Sequence, residues 1–169
     1  MSGFQESSIL ITEALSAQHL AEAKRLFIEY RNSLNVDLGF ENFDYELENL
    51  PGNYCAPNGY LVLAIQNQIA IGCCALRPLH DADHSNACEM KRLYVTPSAR
   101  GTGTGRLLVQ DVLERAKFLG YSCVLLDTLD DMEAARGLYE ELGFIEVSPF
   151  RHTPLAGAHY LKASLYETF

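Results

Sequence analysis

Glycine occupies every second position in the loop Arg100-Gly101-Thr102-Gly103-Thr104-Gly105-Arg106. Glycine has no Cβ, so this backbone can approach a ligand closely and adopt conformations that other residues avoid. A helix is predicted to follow, and the free N–H groups at its start, together with the helix dipole, attract anions. Arg100 and Arg106 can add charge-assisted hydrogen bonds to phosphate. The loop therefore predicts a site for a phosphate-bearing ligand.

The spacing of these glycines does not match two common nucleotide-binding loops. A Walker A loop ends in Gly-Lys-Ser/Thr, and this loop does not. The dinucleotide fingerprint Gly-x-Gly-x-x-Gly would place its last glycine at Arg106 or Leu108, depending on the starting glycine. On spacing alone, a flexible turn before a helix is an equally good interpretation.

The segments around the loop alternate between strand and helix patterns. The segment 87–95 has the length of a strand and ends before Pro97, although Lys91 and Arg92 interrupt its apolar pattern. A short apolar run predicts a strand at 123–126 that is buried on both faces. After the loop, apolar residues recur every three or four positions, which predicts a helix ending at Gly120. Asp130 and Glu133 have the spacing of a capping box, which predicts another helix with an apolar face. Further strands are predicted at 144–147 and 159–166, with a loop at 149–157 between them.

The first half of the chain contains a different succession of patterns. It is predicted to contain, in order, a strand at 7–15, helices at 16–34 and 43–50, a hairpin of strands at 60–66 and 69–76, and a loop at 77–86. Ser16 is the expected cap of the first helix. Together the two halves predict an α/β (α+β) fold in which helices cover a mixed sheet.

Length and composition limit the function classes. The 169 residues, 48% apolar and 21% charged, suit a single domain spanning 1–169. A net charge of −9 disfavours nucleic-acid binding and favours cationic amines, although it is also an ordinary charge for a soluble protein. No apolar run predicts a membrane span or a secretory signal, and five cysteines without Cys-x-x-Cys spacing predict a cytoplasmic location. His80 and His84 lie in a predicted loop, so no metal site is expected.

Two stretches resemble the motifs of one enzyme family, the GNAT superfamily of N-acetyltransferases. Leu93-Tyr94-Val95, followed by Arg100-Gly101-x-Gly103-x-Gly105, resembles its acetyl-CoA motif, and Ala135-x-x-Leu138-Tyr139-x-x-Leu142-Gly143-Phe144 resembles its second motif. The resemblance implies a mixed sheet of six to seven strands flanked by about four helices. It also implies direct transfer of an acetyl group from acetyl-CoA to a primary amine of a small molecule or peptide, without a metal. Homodimers are frequent in the family.

The resemblance also implies roles for individual residues. The backbone of Leu93–Val95 would pair with the pantetheine arm of acetyl-CoA, and the Val95 N–H would polarise the thioester carbonyl. The backbone N–H groups from Gly101 to Gly105 would hold the pyrophosphate. Tyr139 would share its proton with the departing thiolate. Helical periodicity alone favours a core role for this tyrosine.

Glu89 is the candidate general base, because some family members use a glutamate at this position. Partial burial in a strand would raise its pKa, which suits that role. A salt bridge to Lys91 or Arg92 is an equally good interpretation. Asp127, at the end of the next predicted strand, is a weaker candidate for the base.

Two further positions bear on the resemblance. Many family members have an asparagine where this chain has Met132, so the cofactor contact of that asparagine is not expected here. His152 lies in a loop that often borders the acceptor pocket of this fold. Two other functions remain open: a non-catalytic acetyl-CoA-binding sensor or assembly module, and a nucleotide-binding protein. The sensor would need neither Tyr139 nor Glu89, and the absent Walker lysine disfavours nucleotide binding.

Overall fold

The computed structural model describes residues 7–34, 36–152 and 155–166, and its strands join one sheet. The elements are β1 (Leu10–Glu13), α1 (Ala17–Ser33), α2 (Phe43–Glu48), β2 (Tyr60–Gln66), β3 (Ile69–Leu79), β4 (Ala87–Val95), α3 (Thr104–Phe118), β5 (Cys123–Leu129), α4 (Glu133–Glu141), β6 (Ile145–Glu146) and β7 (Ala158–Ser164). Short 3₁₀ turns precede α2 and the glycine loop. The predicted fold, a mixed sheet with about four helices, is confirmed.

The two central strands of the sheet run parallel and then separate. The order across the sheet is β1-β2-β3-β4-β5-β7-β6, and every neighbouring pair except β4 and β5 is antiparallel. β4 and β5 pair only where residues 87–89 face residues 123–125. Beyond these residues the strands diverge toward their carboxyl ends, which leaves a wedge in the middle of the sheet.

Helices pack on both faces of the sheet and so flank the wedge between β4 and β5. One face carries α3 and α4, whose apolar side chains pack with those of β5 in a core that includes Leu108 and Val124. The other face carries α1 and α2, with Phe27 at the centre of a second core. Ser16 caps α1 as predicted, because its hydroxyl accepts a hydrogen bond from the His19 N–H at 3.1 Å. None of the described helices is both long and apolar enough to cross a membrane.

Several predicted boundaries are wrong, among them the end of β5, which lies at Leu129 and not at residue 126, and three of the errors have a common cause. β1 is shorter than expected, Leu10–Glu13, and β3 continues through Leu79 into the predicted loop, because residues 77–79 pair with 87–89 of β4. Asp130 does not cap α4, which begins at Glu133 with no capping side chain. The Asp130 carboxylate instead contacts His159 of β7. Cross-strand partners outside the local sequence decide each of these outcomes.

The cysteines are packing residues rather than a disulfide framework. All five are free thiols, and four of them are buried. Burial raises the pKa of the Cys73, Cys74 and Cys88 thiols, so they remain protonated. Protonated, buried thiols behave as small apolar side chains.

Candidate active site

A cavity of about 60 Å³ fills the wedge between β4 and β5, and we call it the inter-strand cavity. Residues 90–93 of β4 and 126–129 of β5 form two of its walls. The remaining lining residues come from α1, α4, β7 and loops: Tyr30, Leu34, Leu38, Glu41, Met132, Tyr139, Leu155 and Ala158. Apolar and charged side chains both form the lining, and charged groups that are partly shielded from water interact strongly.

A bulge in β4 bends this strand away from β5. The register between β3 and β4 shifts between Cys73 and Ala75, and opposite this point Arg92 has a left-handed backbone with φ of 61°. This conformation costs a non-glycine residue about 1–3 kcal/mol. Surrounding contacts hold it: the Cys73 thiol donates to the Arg92 carbonyl at 3.3 Å, and the guanidinium pairs with Glu41 and Glu46.

Beyond the bulge, the backbone of Val95 faces the wedge. Val95 lies opposite Gly72 of β3, and the next residue, Thr96, donates its N–H to the Ile71 carbonyl at 2.8 Å. Hydrogen bonding alternates along an antiparallel pair, so the N–H and carbonyl of Val95 point away from β3. Arg100 Nε donates to that carbonyl at 3.1 Å. The N–H points to the side where β4 and β5 no longer pair.

Two glycines of the loop are required by backbone conformation. Gly101 and Gly103 have φ of 78° and 86°, which residues with a Cβ rarely adopt. No atom lies within 4 Å of the position that a Cβ would take at either glycine, so their surface is open. Gly105 differs, because it lies inside α3 and its Cβ position is 3.5 Å from the Leu138 side chain. Gly105 therefore keeps the start of α3 close to α4.

The glycine loop offers a row of unpaired donors. In the described part of the chain, none of the backbone N–H groups of residues 101–106 donates a hydrogen bond. The first internal bond of α3 is from the Leu107 N–H to the Gly103 carbonyl at 3.1 Å. The Thr102 hydroxyl donates to the Ala99 carbonyl at 2.5 Å and braces the turn. Such a set of donors at the start of a 15-residue helix is suited to a phosphate group.

A cleft of about 700 Å³ extends from the glycine loop, past the end of β4, to α4, and we call it the loop cleft. Its size is in the range of small-molecule sites. Arg100 lies over the Tyr94 ring at 5.8 Å, and Arg106 pairs with Glu141 of α4. The loop cleft and the inter-strand cavity share lining residues, namely Tyr30, Leu34, Leu93, Leu129 and Met132. A ligand anchored at the glycine loop can therefore extend toward the cavity.

Tyr139 extends from α4 to the wall of the inter-strand cavity. Its ring packs against Phe144 at 5.5 Å, and only 6% of the residue is exposed. Within the described residues its hydroxyl forms no hydrogen bond. Burial raises the pKa of the phenol well above its ordinary value, and the neighbouring Cys74 and Asp127 act in the same direction. The phenol therefore keeps its proton and can donate it to a ligand.

Glu89 lines neither space, and the expected rise in its pKa is wrong. The fully buried carboxylate pairs with Arg77 Nη2 at 2.9 Å and with Arg151, and it lies 4.0 Å from Lys91 Nζ. Burial alone would raise the pKa, but the charges of Lys91, Arg151 and Arg77 outweigh it and lower the pKa. The salt-bridge interpretation is confirmed for Lys91, whereas Arg92 pairs with other glutamates.

Asp127 has the raised pKa that was expected of Glu89. It lines the inter-strand cavity at the end of β5. Burial raises its pKa, Lys91 opposes the rise and Glu89 reinforces it. Among the described residues, no salt bridge or hydrogen bond involves its carboxylate. A carboxylate in this state is suited to accept a proton from a ligand.

A chain of partly buried ion pairs runs along the cavity, and we call it the ion cluster. Lys91 donates to Glu41 at 3.3 Å, and Arg92 pairs with Glu41 at 2.9 Å and with Glu46 at 2.8 Å. Through Lys91 these residues connect to the pairs around Glu89. The members are Arg77, Lys91, Arg92 and Arg151 with Glu41, Glu46 and Glu89. Burial would raise the pKa of Glu41, but Lys91 and Arg92 lower it, so it remains ionised.

Some sequence predictions lie away from these spaces, and some lining residues were missed. His152 is exposed and lines neither space. In the described ranges, no group of three or more metal-ligating side chains occurs, at His80–His84 or elsewhere. Tyr30 and Glu41 were not recognised as site residues. Tyr30 follows Ala23, Leu26 and Phe27 at helical spacing, which predicts that it lies on the buried face of α1, but no local pattern marks Glu41.

Comparison with known proteins places this architecture among acetyltransferases. A family model described as Acetyltransferase (GNAT) family matches residues 20–144. An uncharacterised N-acetyltransferase of Schizosaccharomyces pombe is 37% identical over 160 residues, which cover 94% of this chain and 96% of that protein. The N-acetylaspartate synthetase of Rattus norvegicus is 31% identical over 150 residues, covering 87% of this chain and 49% of that protein.

Two solved structures share the fold at low sequence identity. An acetyltransferase of the GNAT family from Staphylococcus aureus Mu50 has a TM-score of 0.77 at 22% identity, covering 94% of this chain and 100% of that one. An acetyltransferase from Salmonella typhimurium with its cofactor acetyl-CoA has a TM-score of 0.70 at 17% identity, covering 95% of each chain.

Proposed function

The chain belongs to the acetyltransferase (GNAT) family, and on that premise we propose that it transfers the acetyl group of acetyl-CoA directly to a primary amine. One observation carries the proposal: the loop cleft, with its row of unpaired N–H groups, adjoins a cavity lined by Tyr139 and Asp127. A non-catalytic acetyl-CoA sensor would need only the first of these two spaces.

Acetyl-CoA fits the loop cleft by chemistry and by size. The N–H groups of Gly101–Gly105 suit the pyrophosphate, and Arg100 and Arg106 stand beside them. The side of β4 to which the Val95 N–H points has no strand partner, so it suits the amide groups of the pantetheine arm. The Salmonella acetyltransferase with the same fold holds acetyl-CoA. When bound, acetyl-CoA supplies an activated thioester carbonyl.

Three groups of this chain serve the transfer in our proposal. Asp127 accepts a proton from the incoming ammonium, which frees the nitrogen lone pair to form the new N–C bond. The Val95 N–H donates to the carbonyl oxygen as negative charge develops there. Tyr139 gives its proton to the sulfur as the C–S bond breaks, and the second proton that the nitrogen loses on becoming an amide restores the phenol.

Asp127 is a better candidate for the base than Glu89. Asp127 lines the cavity without a cationic partner and has a raised pKa, whereas three cations surround Glu89 and lower its pKa. A base must accept a proton readily, and a carboxylate held by Arg77 and Arg151 resists protonation. We assign Glu89 a positioning role instead, because it ties Arg151, and the segment between β6 and β7, to β4.

The acceptor is a primary amine of a small molecule or of a peptide. The rat relative is named for making N-acetylaspartate, which is an acetylated amino acid. We further propose that residues 1–169 form one domain acting in the cytoplasm, as a monomer or homodimer. The five free thiols and the net charge of −9 support that location and disfavour nucleic-acid partners.

Calorimetry followed by a transfer assay tests the proposal. Titration with acetyl-CoA is expected to give saturable heat, and titration with ATP is expected to give none. Release of free CoA thiol is then measured against a panel of amines, with acetyl-CoA alone as the blank. Binding of ATP without binding of acetyl-CoA would overturn the proposal.

A further inference from the structure

We propose that the acceptor amine also carries a carboxylate, and that Lys91 binds this carboxylate while Asp127 receives the amino group. The substrate class is then a small amino acid, an inference that rests on the proposed function. Lys91 and Asp127 lie on the two strands that diverge around the inter-strand cavity, and both line it.

The ammonium group of Lys91 is only partly satisfied by the protein. The side chain is 4% exposed, and Nζ donates to Glu41 at 3.3 Å. The nearest Glu89 oxygen is 4.0 Å away, which is beyond hydrogen-bonding distance. An ammonium group has three donors, so within the described residues the others lack an acceptor. A buried charged donor without an acceptor is costly, and a ligand carboxylate would remove that cost.

The space between Lys91 and Asp127 suits a ligand with a charge at each end. Lys91 and Asp127 both line the inter-strand cavity, and the charge of Lys91 lowers the pKa of Asp127 against the rise that burial causes. No salt bridge joins them in the described part of the chain. An amino acid presents an ammonium to Asp127 and a carboxylate to Lys91. The cavity of about 60 Å³ admits only a small ligand.

The charge of the ion cluster favours the same ligand. Its cations outnumber its carboxylates by one: Arg77, Lys91, Arg92 and Arg151 against Glu41, Glu46 and Glu89. Once Asp127 has accepted the ammonium proton it is neutral, and the carboxylate of the ligand balances the excess cation. An amine without a carboxylate would leave a buried charge uncompensated. The net charge of −9, which favours cationic ligands, describes the whole chain and not this cavity.

The test compares acceptors that differ only in the carboxylate. Thiol release and product mass are measured for glycine, β-alanine, L-alanine and L-aspartate, each against its matching amide. At least one free amino acid is expected to exceed its amide about 100-fold in kcat/KM, since an unpaired buried charge discriminates strongly. The amide has the more weakly basic amine and holds more of the reactive neutral form, so a preference for the acid cannot arise from amine basicity.

The outcomes separate this inference from the proposed function. Amides that react as well as the acids overturn the inference while transfer itself stands. Transfer to none of these acceptors also overturns it. Loss of acetyl-CoA binding in calorimetry would overturn the proposed function instead.

A variant pair tests the assignment to Lys91. Lys91→Met keeps the aliphatic stem but removes the ammonium, and is expected to raise KM for the free amino acid at least about tenfold and to reduce its advantage over the amide. Lys24→Met, on the exposed face of α1, is the matched control. It is expected to leave unchanged both the KM for the free amino acid and the advantage of the acid over the amide. An equal loss for acid and amide in Lys91→Met contradicts the assignment. If this variant does not fold, the comparison of acids with amides still decides the substrate class.

Discussion

The loop cleft and the inter-strand cavity lie side by side but are built differently. The cleft takes its donors from the backbone of one continuous loop, whose form depends on Gly101 and Gly103. The cavity takes its charges from side chains that meet only in the folded chain, such as Glu41 and Asp127. The binding groups of the cleft therefore come from one segment of the chain. The protonation states in the cavity depend instead on charges from segments that are distant in sequence.

Two carboxylates near this wedge differ in their charged neighbours and therefore in their pKa values. Glu89 lies where β4 still pairs with β5, opposite Leu125, and Asp127 lies beyond the last pair, where the strands have separated. The first is surrounded by cations and the second has no salt bridge among the described residues. Their pKa values shift in opposite directions. Position along the wedge, rather than residue type, decides which carboxylate accepts a proton.

Asp127→Asn should show the largest effect, because it removes the proposed proton acceptor. We expect kcat/KM to fall about 10³-fold, within the range for general bases, with little change in the acetyl-CoA Kd. Wild-type activity should fall on the acid side through a pKa above the ordinary value for aspartate, and the variant should lack that limb. Thiol release across pH and calorimetry measure both. Parent-like turnover would return the role of base to Glu89.

Glu89→Gln should change stability more than chemistry. Removing one partner of a buried ion pair leaves Arg77 and Arg151 uncompensated, and should lower the free energy of unfolding near neutral pH by about 3–5 kcal/mol. Urea denaturation followed by circular dichroism measures this change. In the folded fraction, the acid limb of the pH profile should persist but shift to lower pH, because the charge of Glu89 contributes to the raised pKa of Asp127. Loss of the limb would contradict a positioning role.

The sign of the pH dependence separates the two carboxylates further. Folding lowers the pKa of Glu89, so its contribution to stability is present above the unfolded pKa and is lost as pH falls through the lowered value. Folding raises the pKa of Asp127, so its contribution is present below the unfolded pKa and is lost as pH rises through the raised value. Near neutral pH, Asp127→Asn should therefore unfold at the same or a higher urea concentration than the parent.

Tyr139→Phe tests the proton donor next to the cavity. We expect kcat to fall about 10²-fold, because the departing thiolate loses its proton donor. Stability should change by less than about 0.5 kcal/mol, since the hydroxyl has no hydrogen bond to lose in the described residues. Single-turnover thiol release and acetyl-CoA calorimetry separate chemistry from binding. An unchanged kcat would leave Tyr139 as a core partner of Phe144.

Gly103→Ala should have the smallest effect and concerns the cleft alone. An alanine at φ of 86° is strained by about 1–2 kcal/mol, although no atom obstructs its Cβ. We expect about tenfold weaker acetyl-CoA binding by calorimetry, with kcat at saturation unchanged. Gly120→Ala is the matched control, because Gly120 has φ of 87° and equally open surroundings at the far end of α3. It should lose similar stability and keep its acetyl-CoA affinity.

The two regions also differ in how much the sequence predicted. The bounds of β4 and the hairpin of β2 and β3 follow from glycine, proline and apolar periodicity, and the cleft follows from the glycine loop. The bulge at Arg92 was not predicted, because its backbone is held by Cys73, Glu41 and Glu46, which come from other segments. No local pattern selects the partners of a buried charge.

Partners that are distant in sequence also explain why the raised pKa was expected at Glu89 and is found at Asp127. Sequence alone suggested that burial would raise the pKa of Glu89, and it is fully buried. The charge of Lys91 reverses the shift together with those of Arg151 and Arg77, which lie far after and before Glu89 in the chain. Only the sheet topology reveals that Asp127 lies past the pairing of β4 and β5 while Glu89 lies within it.

The bulge at Arg92 gives the sheet an edge in its interior. Strands at the rim of a sheet expose unpaired backbone groups, and these invite pairing with other protein chains and aggregation. Here the unpaired side of β4 beyond the bulge lies in a cleft bounded by α1, α4 and β5, away from the rim of the sheet. A thin, linear molecule can still enter. The backbone groups that could pair with a strand are thereby accessible to a narrow ligand, whereas they lie away from the surface that meets neighbouring proteins in a crowded cell.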